Sequence, residues 1–234
     1  MHRFITTVLV ILSTTFSSIA QSNGKHLFML SGQSNMAGLD PEISFIPAVE
    51  SAFGKENVII VKEARGGLPI SRWHKKWRSP QGAAPKIVGD MYERLLAKVK
   101  ELDQTLQFKT VTFVWMQGER DAREQYGDVY AASLQGLLGQ LQSDFKRDDI
   151  NFIIGRISDF DMQNKRYPHW TKIREAQIAF AESYALGAWI DTDDLNDGIN
   201  KKGERIENDL HLSVEGYKVL GQRFAERAIK FITM

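Results

Sequence analysis

The sequence predicts an α/β fold, a three-layer α/β/α sandwich in which helices cover both faces of a five-stranded parallel sheet. Two observations support this prediction. Five short apolar runs rich in Val, Ile and Phe recur along the chain, and segments with helical periodicity separate them. Runs that are nearly continuous in hydrophobicity are typical of parallel strands, because both of their faces are buried. The alternation also implies right-handed crossovers between the strands.

The predicted elements follow one another from residue 25 to the end of the chain. The strands are expected at 25–31, 57–64, 108–116, 150–157 and 185–192. The helices are expected at 87–102, 126–145, 169–184 and 213–232. Ligands of such sheets bind beyond the carboxyl ends of the strands, so candidate functional residues are sought there.

The first 20 residues have the features of a secretory signal: a basic residue at Arg3, an apolar stretch over 5–11, and small residues at Ser18 and Ala20. The stretch is shorter than the ~20 apolar residues that span a bilayer. We therefore expect cleavage after Ala20, no stable membrane insertion afterwards, and a single domain over 21–234. The chain contains no cysteine, and an exported protein without disulfides suits the periplasm or exterior of a bacterium.

Composition excludes two classes of partner. Once Arg3 is removed, 29 basic residues balance 29 acidic ones, so no overall field attracts nucleic acid. The absence of cysteine excludes thiolate metal sites, and no two of the five histidines have metal-ligand spacing. No metal site is therefore expected.

Candidate catalytic and binding residues cluster where the predicted strands end, and this is the edge of the sheet at which ligands bind. They are Ser34 after the first strand, Gly66 and Gly67 after the second, Gln117, Glu119 and Asp121 after the third, and His211 before the last helix. A serine becomes a nucleophile when a base removes its proton, and His211 is the histidine best placed to do so. The alternative for Ser34 is a helix N-cap. The G-x-S-x-G elbow of α/β-hydrolases is excluded, because Met36 occupies the position of its second glycine.

The segments "GQSNMAG", "ARGGLPISRW", "WMQGERDA" and "NDLHLSVEGY" occur in the order found in the SGNH (GDSL-type) hydrolases. The chain resembles most closely the branch of sialate O-acetylesterases and acetylxylan esterases, similar to carbohydrate esterase family 6. The resemblance covers nearly all of 21–234. It implies a flavodoxin-like sandwich, no metal or organic cofactor, and removal of acetyl groups from an oligo- or polysaccharide through an acyl-enzyme.

The resemblance also implies roles for individual residues. Ser34 would be the nucleophile and His211 the general base. The oxyanion hole would consist of the Ser34 N–H, the side chain of Gln117 and the N–H of Gly66, with Gly67 as the alternative glycine. Further expected substrate contacts are Gln33, Asn35, Gly67 and Trp73, although packing beneath the loop is the favoured interpretation for Trp73.

The chain departs from the family pattern beside the histidine. The usual Asp-x-x-His is here Asn208-x-x-His211, and an asparagine fixes the imidazole tautomer without stabilising its positive charge. Asp209 or Glu119 could supply the missing carboxylate. Neighbouring residues of an extended segment point to opposite sides, so we expect Asp209 to face away from His211 and Glu119 to support it.

Two other functions remain open on the sequence. Asn208 is compatible with a catalytically impaired, carbohydrate-binding relative, and the fold also serves esterases of other short acyl groups or of lipids. The basic segment 72–78, which interleaves Trp73 and Trp77 with Arg and Lys, could hold a carboxylated sugar or could be solvated.

Overall fold

In the computed structural model, which describes residues 24–234, five parallel strands form one sheet in the order β2-β1-β3-β4-β5. The strands are β1 (His26–Gly32), β2 (Val58–Ala64), β3 (Thr110–Met116), β4 (Ile150–Gly155) and β5 (Gly187–Ile190). A small antiparallel pair, β6 (Gly198–Ile199) and β7 (Arg205–Ile206), lies in the segment before the last helix.

The helices form layers on both faces of the sheet. They are α1 (Ser34–Gly38), α2 (Phe45–Phe53), α3 (Asp90–Leu102), α4 (Glu119–Arg123), α5 (Gly127–Phe145), α6 (Trp170–Ser183) and α7 (Val214–Thr233). The buried side chains of α3, α5 and α6 form one core with Leu27 and Met29 of β1. Those of α1, α2 and α7 form a second core with Phe28 and Leu30 on the opposite face of the same strand. The result is a three-layer α/β/α sandwich, as predicted.

The central strands have the continuous hydrophobicity that the sequence suggested, because β1 is buried along its whole length. Its parallel pairing to β2 and β3 brings Gly32, Ala64 and Met116 into register. The last residues of the three strands therefore lie side by side, and the loops that follow them share one edge of the sheet.

The five predicted strands and four long helices are confirmed, with helix ends that differ by at most three residues from the prediction. The largest difference is at α3, which begins at Asp90 because Gly89 has a left-handed conformation, with φ of 70°. Helices α1, α2 and α4 and the β6–β7 pair were not predicted. They have two to nine residues, too few for a periodic pattern to stand out.

The predicted signal sequence, residues 1–20, lies outside the described residues. Within 24–234, no helix combines the length and hydropathy needed to cross a bilayer.

Candidate active site

Ser34 lies immediately beyond the end of β1, where the chain turns sharply. Gly32 has φ of 149°, and a Cβ at this position would lie 2.0 Å from the carbonyl oxygen of Met116, so glycine is required there. The Gln33 N–H donates to the same oxygen at 2.9 Å. Ser34 is then the first residue of α1, where its N–H has no acceptor within the helix. The side chain is partly exposed, so a substrate can reach it.

Gly66 lies against Ser34. An ideal Cβ built on Gly66 would lie 3.6 Å from the Cβ of Ser34, whereas a Cβ on Gly67 would meet nothing within 4 Å. The Arg65 N–H donates to the carbonyl oxygen of Gly32 at 3.1 Å, which ties the loop after β2 to the end of β1. Of the two glycines, Gly66 is therefore the one whose backbone can face an acyl group bound to Ser34.

Asn35 joins the nucleophile's segment to the histidine's segment. This buried side chain donates to Glu119 Oε1 at 2.9 Å and to the carbonyl oxygen of Leu210 at 3.1 Å. Its own oxygen accepts from the Leu212 N–H at 3.4 Å. Because Asn35 follows Ser34 and the two leucines flank His211, these bonds bring the candidate nucleophile and base to the same place. The imidazole itself is half exposed.

Asp209 lies beside His211, which corrects the expectation that it would face away. Its Oδ1 is 3.9 Å from His211 Nδ1 and accepts from the His211 backbone N–H at 2.8 Å. The expectation assumed an extended segment, but Asn208 has a left-handed conformation with φ of 43°. This turn directs Asp209 toward His211, two residues ahead. Asp side chains favour such a local hydrogen bond, in which the carboxylate accepts from a backbone N–H two residues further on.

Neither of the other two expected supports contacts the imidazole. Asn208 Oδ1 accepts from Asn196 at 3.2 Å, and its Nδ2 donates to the carbonyl oxygen of Phe160 at 3.4 Å. Glu119 is bonded to Asn35, which lies between it and the histidine's loop. Among the described residues, Asp209 is therefore the acidic residue beside His211, and Glu119 acts on that loop through Asn35.

Two carboxyl groups are buried beneath the site. Burial raises the pKa of Glu119 to about 7, and the hydrogen bond from Asn35 only partly opposes this. Burial also raises the pKa of Asp121 to about 7, with a further contribution from the charge of Glu119. Within the described chain, Glu119 Oε2 and Asp121 Oδ1 have no hydrogen-bond partner. Desolvation without full hydrogen bonding favours the neutral acid.

Gln117 does not occupy the position expected of an oxyanion donor. Its side chain is fully buried, and its Nε2 faces Gln33 Oε1 at 3.1 Å, Leu68 O at 3.1 Å and Asp121 Oδ2 at 2.5 Å. An amide nitrogen has two hydrogens, so these acceptors already take both. The Ser34 and Gly66 N–H groups are the members of the predicted hole that the geometry leaves available.

Three of the four predicted substrate contacts are structural instead. Trp73 is fully buried, and its indole N–H donates to Ser31 Oγ at 2.8 Å. Asn35 is occupied by the bonds described above. Gln33 is 3% exposed, and its Oε1 accepts from Gln117 and from the Arg120 N–H. Gly67 is exposed on the loop beside Ser34, so it alone of the four remains accessible to a substrate.

Two residues that organise the site could not be recognised from the sequence. The Tyr217 hydroxyl donates to Asn35 Oδ1 at 3.1 Å, yet Tyr217 belongs to the apolar stripe of α7 and resembles a core residue. Asn196 Nδ2 lies within hydrogen-bonding distance of the Asp159 and Asn208 side chains and of the Asp209 carbonyl oxygen. In the sequence, this asparagine resembles an ordinary loop residue.

A family model matches most of the chain. The model described as carbohydrate esterase, sialic acid-specific acetylesterase (SASA) aligns with residues 37–230. The chain belongs to this family. It is a carboxylic ester hydrolase. The match includes Gly66, Glu119 and His211 and begins three residues after Ser34. No curated protein matches the chain.

Solved structures share the fold of this carbohydrate esterase. A protein from Arabidopsis thaliana is 19% identical with a TM-score of 0.63, and the alignment covers 90% of this chain and 98% of that one. A carbohydrate acetylesterase from Xanthomonas citri is 16% identical with a TM-score of 0.59, covering 90% of this chain and 56% of that one. A lipase/acylhydrolase from Enterococcus faecalis is 15% identical with a TM-score of 0.53, covering 88% and 96%. These likenesses show a shared fold.

Proposed function

We propose that this esterase is exported and removes O-acetyl groups from carbohydrates through an acyl-enzyme on Ser34, with His211 as general base. The observation that carries the proposal is the Asn35 bridge. One buried side chain, adjacent to Ser34, bonds the backbone on both sides of His211. Membership of a carbohydrate esterase family supports an acetylated sugar as the substrate.

The first half of the proposed reaction forms the acyl-enzyme. Ser34 Oγ attacks the acetyl carbonyl carbon while His211 takes the hydroxyl proton. The carbonyl oxygen becomes an oxyanion next to the N–H groups of Ser34 and Gly66, where the N-terminus of α1 adds a small positive potential. His211 then returns the proton to the sugar oxygen, the C–O bond breaks, and the deacetylated hydroxyl leaves.

The second half releases acetate. A water molecule gives its proton to His211 and attacks the acyl carbon, and collapse of the second intermediate returns the proton to Ser34 Oγ. His211 is positively charged at both intermediates. The Asp209 carboxylate, 3.9 Å from Nδ1, stabilises that charge. Both side chains are about half exposed, so water weakens this attraction relative to a buried pair.

The proposal predicts that purified protein hydrolyses p-nitrophenyl acetate and releases acetate from an acetylated glycan. Ser34→Ala should lower kcat by at least about 10³-fold, because the nucleophile is lost while the remaining site is unchanged. Protein recovered from the periplasm or medium should begin at Gln21 in mass spectrometry. Equal, negligible turnover in both proteins, with measurable glycan binding, would favour the non-catalytic alternative.

A further inference from the structure

A cleft of about 290 Å³ is lined mainly by the loop that follows β2, which is also the loop of Gly66. Pro69 belongs to this loop, and Tyr126 lines the cleft from the connection between α4 and α5. Pro69 is three residues beyond Gly66, so its Cα lies within about 11 Å of the Cα of Gly66, the glycine that lies against Ser34. A larger cleft, of about 830 Å³, lies at the sheet edge along β5 and contains none of the candidate catalytic residues. None of the candidate catalytic residues lines the smaller cleft either, but Pro69 in its wall is three residues from Gly66 on the same loop, so this cleft can hold part of a substrate attached at Ser34.

The lining of this cleft is mostly apolar, with a few uncharged polar groups. Trp77 and Tyr126 contribute aromatic rings, with centroids 4.9 Å apart. Serine hydroxyls and the Gln81 amide add hydrogen-bonding groups, and proline and alanine complete the wall. Of the described residues that line it, none carries a charge. Aromatic surface combined with a few neutral polar groups suits a sugar ring, which has apolar C–H faces and hydroxyl edges.

Trp77 gives a second indication of a ligand. It is 2% exposed, and its indole N–H has no acceptor among the described residues. The other tryptophans of the chain each donate to a protein oxygen: Trp73, Trp115, Trp170 and Trp189. Buried indole N–H groups normally find a partner, so an unsatisfied one in the wall of a cleft fits a ligand hydroxyl as its acceptor.

None of the cations of segment 72–78 lines this cleft. Arg72 makes a bidentate pair with Asp90, with both distances 2.5 Å. Lys75 pairs with Glu93 at 2.5 Å, and Lys76 lines a different cleft beside His74. Arg78 donates to the Trp77 carbonyl oxygen at 2.9 Å and does not line the cleft. A carboxylated sugar would therefore find no cationic partner there.

We infer that this cleft binds an uncharged sugar residue next to the acetylated one, so that the enzyme prefers neutral acetylated glycans to O-acetylated sialate. The inference rests on the proposed esterase function. It assigns to Trp77, Tyr126 and Gln81 the selection of the substrate's glycan part. The acetyl transfer itself involves Ser34 and His211.

The test compares three substrates: p-nitrophenyl acetate, an acetylated neutral xylo-oligosaccharide and O-acetyl sialate. Wild type should show a higher kcat/KM on the neutral oligosaccharide than on the sialate. Trp77→Phe, which keeps a ring but removes the donor, and the exposed Gln81→Ala should each raise KM for the oligosaccharide about tenfold with kcat little changed. Both should hydrolyse p-nitrophenyl acetate within about twofold of wild type, as should the exposed control Gln104→Ala on all three substrates.

Two results would overturn the inference. One is a preference of the wild type for sialate, and the other is an oligosaccharide KM that neither Trp77→Phe nor Gln81→Ala changes. Failure of the proposed function is distinguishable, because wild type would then leave p-nitrophenyl acetate intact. In that case calorimetry with the deacetylated oligosaccharide decides the matter. Binding that is weakened by Gln81→Ala and Trp77→Phe supports the cleft, and equal binding by all variants refutes it.

Discussion

The residues around His211 show how one backbone angle decides which carboxylate lies beside the proposed catalytic base. Asn208 occupies the position at which the resemblance led us to expect an aspartate, but its side chain binds Asn196 and Phe160 instead of the imidazole. Its left-handed conformation brings Asp209 to the histidine. A shift of one residue along the chain has therefore kept a carboxylate near Nδ1, at a longer distance than a direct hydrogen bond.

Asp209→Asn tests this assignment. The amide can still accept from the His211 backbone N–H, but the negative charge beside the imidazolium is lost. We expect kcat for p-nitrophenyl acetate to fall about tenfold, less than the ~10⁴-fold loss known for a buried triad aspartate, because both side chains are half exposed. Asn208→Gly is the matched control and should stay within about threefold of wild type, because glycine keeps the positive φ and the lost side chain does not touch the imidazole. Full activity in Asp209→Asn, with a crippled Glu119→Gln, would restore Glu119 as the supporting acid.

At the scale of elements, the junction between β1 and α1 determines the position of Ser34, the proposed nucleophile. The sheet places the ends of β1, β2 and β3 in register, and the turn at Gly32 releases the chain from β1 directly into α1. Two backbone hydrogen bonds fix that turn. The Gln33 N–H donates to Met116 of β3, and the Arg65 N–H, in the loop after β2, donates to Gly32. The position of Ser34 therefore depends on backbone packing between three strands.

Gly32→Ala should destabilise the protein and impair catalysis. The added Cβ would lie 2.0 Å from the Met116 carbonyl oxygen, and the φ of 149° is unfavourable for alanine. We expect a loss of about 3 kcal/mol in the free energy of unfolding, measured by urea denaturation, with a fall in kcat in the folded fraction. Gly139→Ala in α5 is the matched control, because a Cβ there meets nothing within 4 Å. It should gain about 0.5–1 kcal/mol. Equal stability of the two variants would contradict this account of the junction.

Features that depend on local sequence were predictable, and features that depend on long-range packing were not. The five strands and four long helices were predictable, because apolar runs and 3.6-residue periodicity are local properties of the chain. The grouping of Ser34, Gly66 and the His211 loop at one edge followed from the topology of parallel sheets. The partners of Gln117 and Asn35 were not predictable, because a buried amide can bond protein or substrate and the sequence does not show which. The position of Asp209 depended on a single positive φ at a non-glycine residue.

At the scale of the whole molecule, two acidic side chains are buried beneath the candidate site, which is unfavourable for their charged forms. Glu119 and Asp121 are fully shielded from water at the centre of the edge where the loops after β1, β2 and β3 meet, and each leaves one oxygen without a partner among the described residues. Their bonded oxygens hold Asn35 and the amide of Gln117, together with the Ile70 N–H. The two acids therefore connect the loops, but burying them charged is unfavourable.

This burial predicts a pH dependence of stability with a definite sign. Both carboxyls have a folded-state pKa raised by desolvation to about 7, above their unfolded values near 4. Between these pH values the folded protein binds more protons than the unfolded chain. The stabilisation from these bound protons is therefore complete below about pH 4 and is lost as pH rises to about 7. From pH 5 to pH 7, each carboxyl should lower the free energy of unfolding by about 2 kcal/mol.

Urea denaturation of wild type, Glu119→Gln and Asp121→Asn at pH 5, 6, 7 and 8 measures this effect. Other groups titrate in the same range, including His26 and His74, whose pKa values are lowered by burial. Their contributions cancel when each variant is compared with wild type at the same pH. Because each amide stays neutral at every pH, the stability of both variants relative to wild type should increase from pH 5 to pH 7 and level off above it. A difference that is constant across the series would show that the two acids are ionised throughout, and that the site tolerates buried charge.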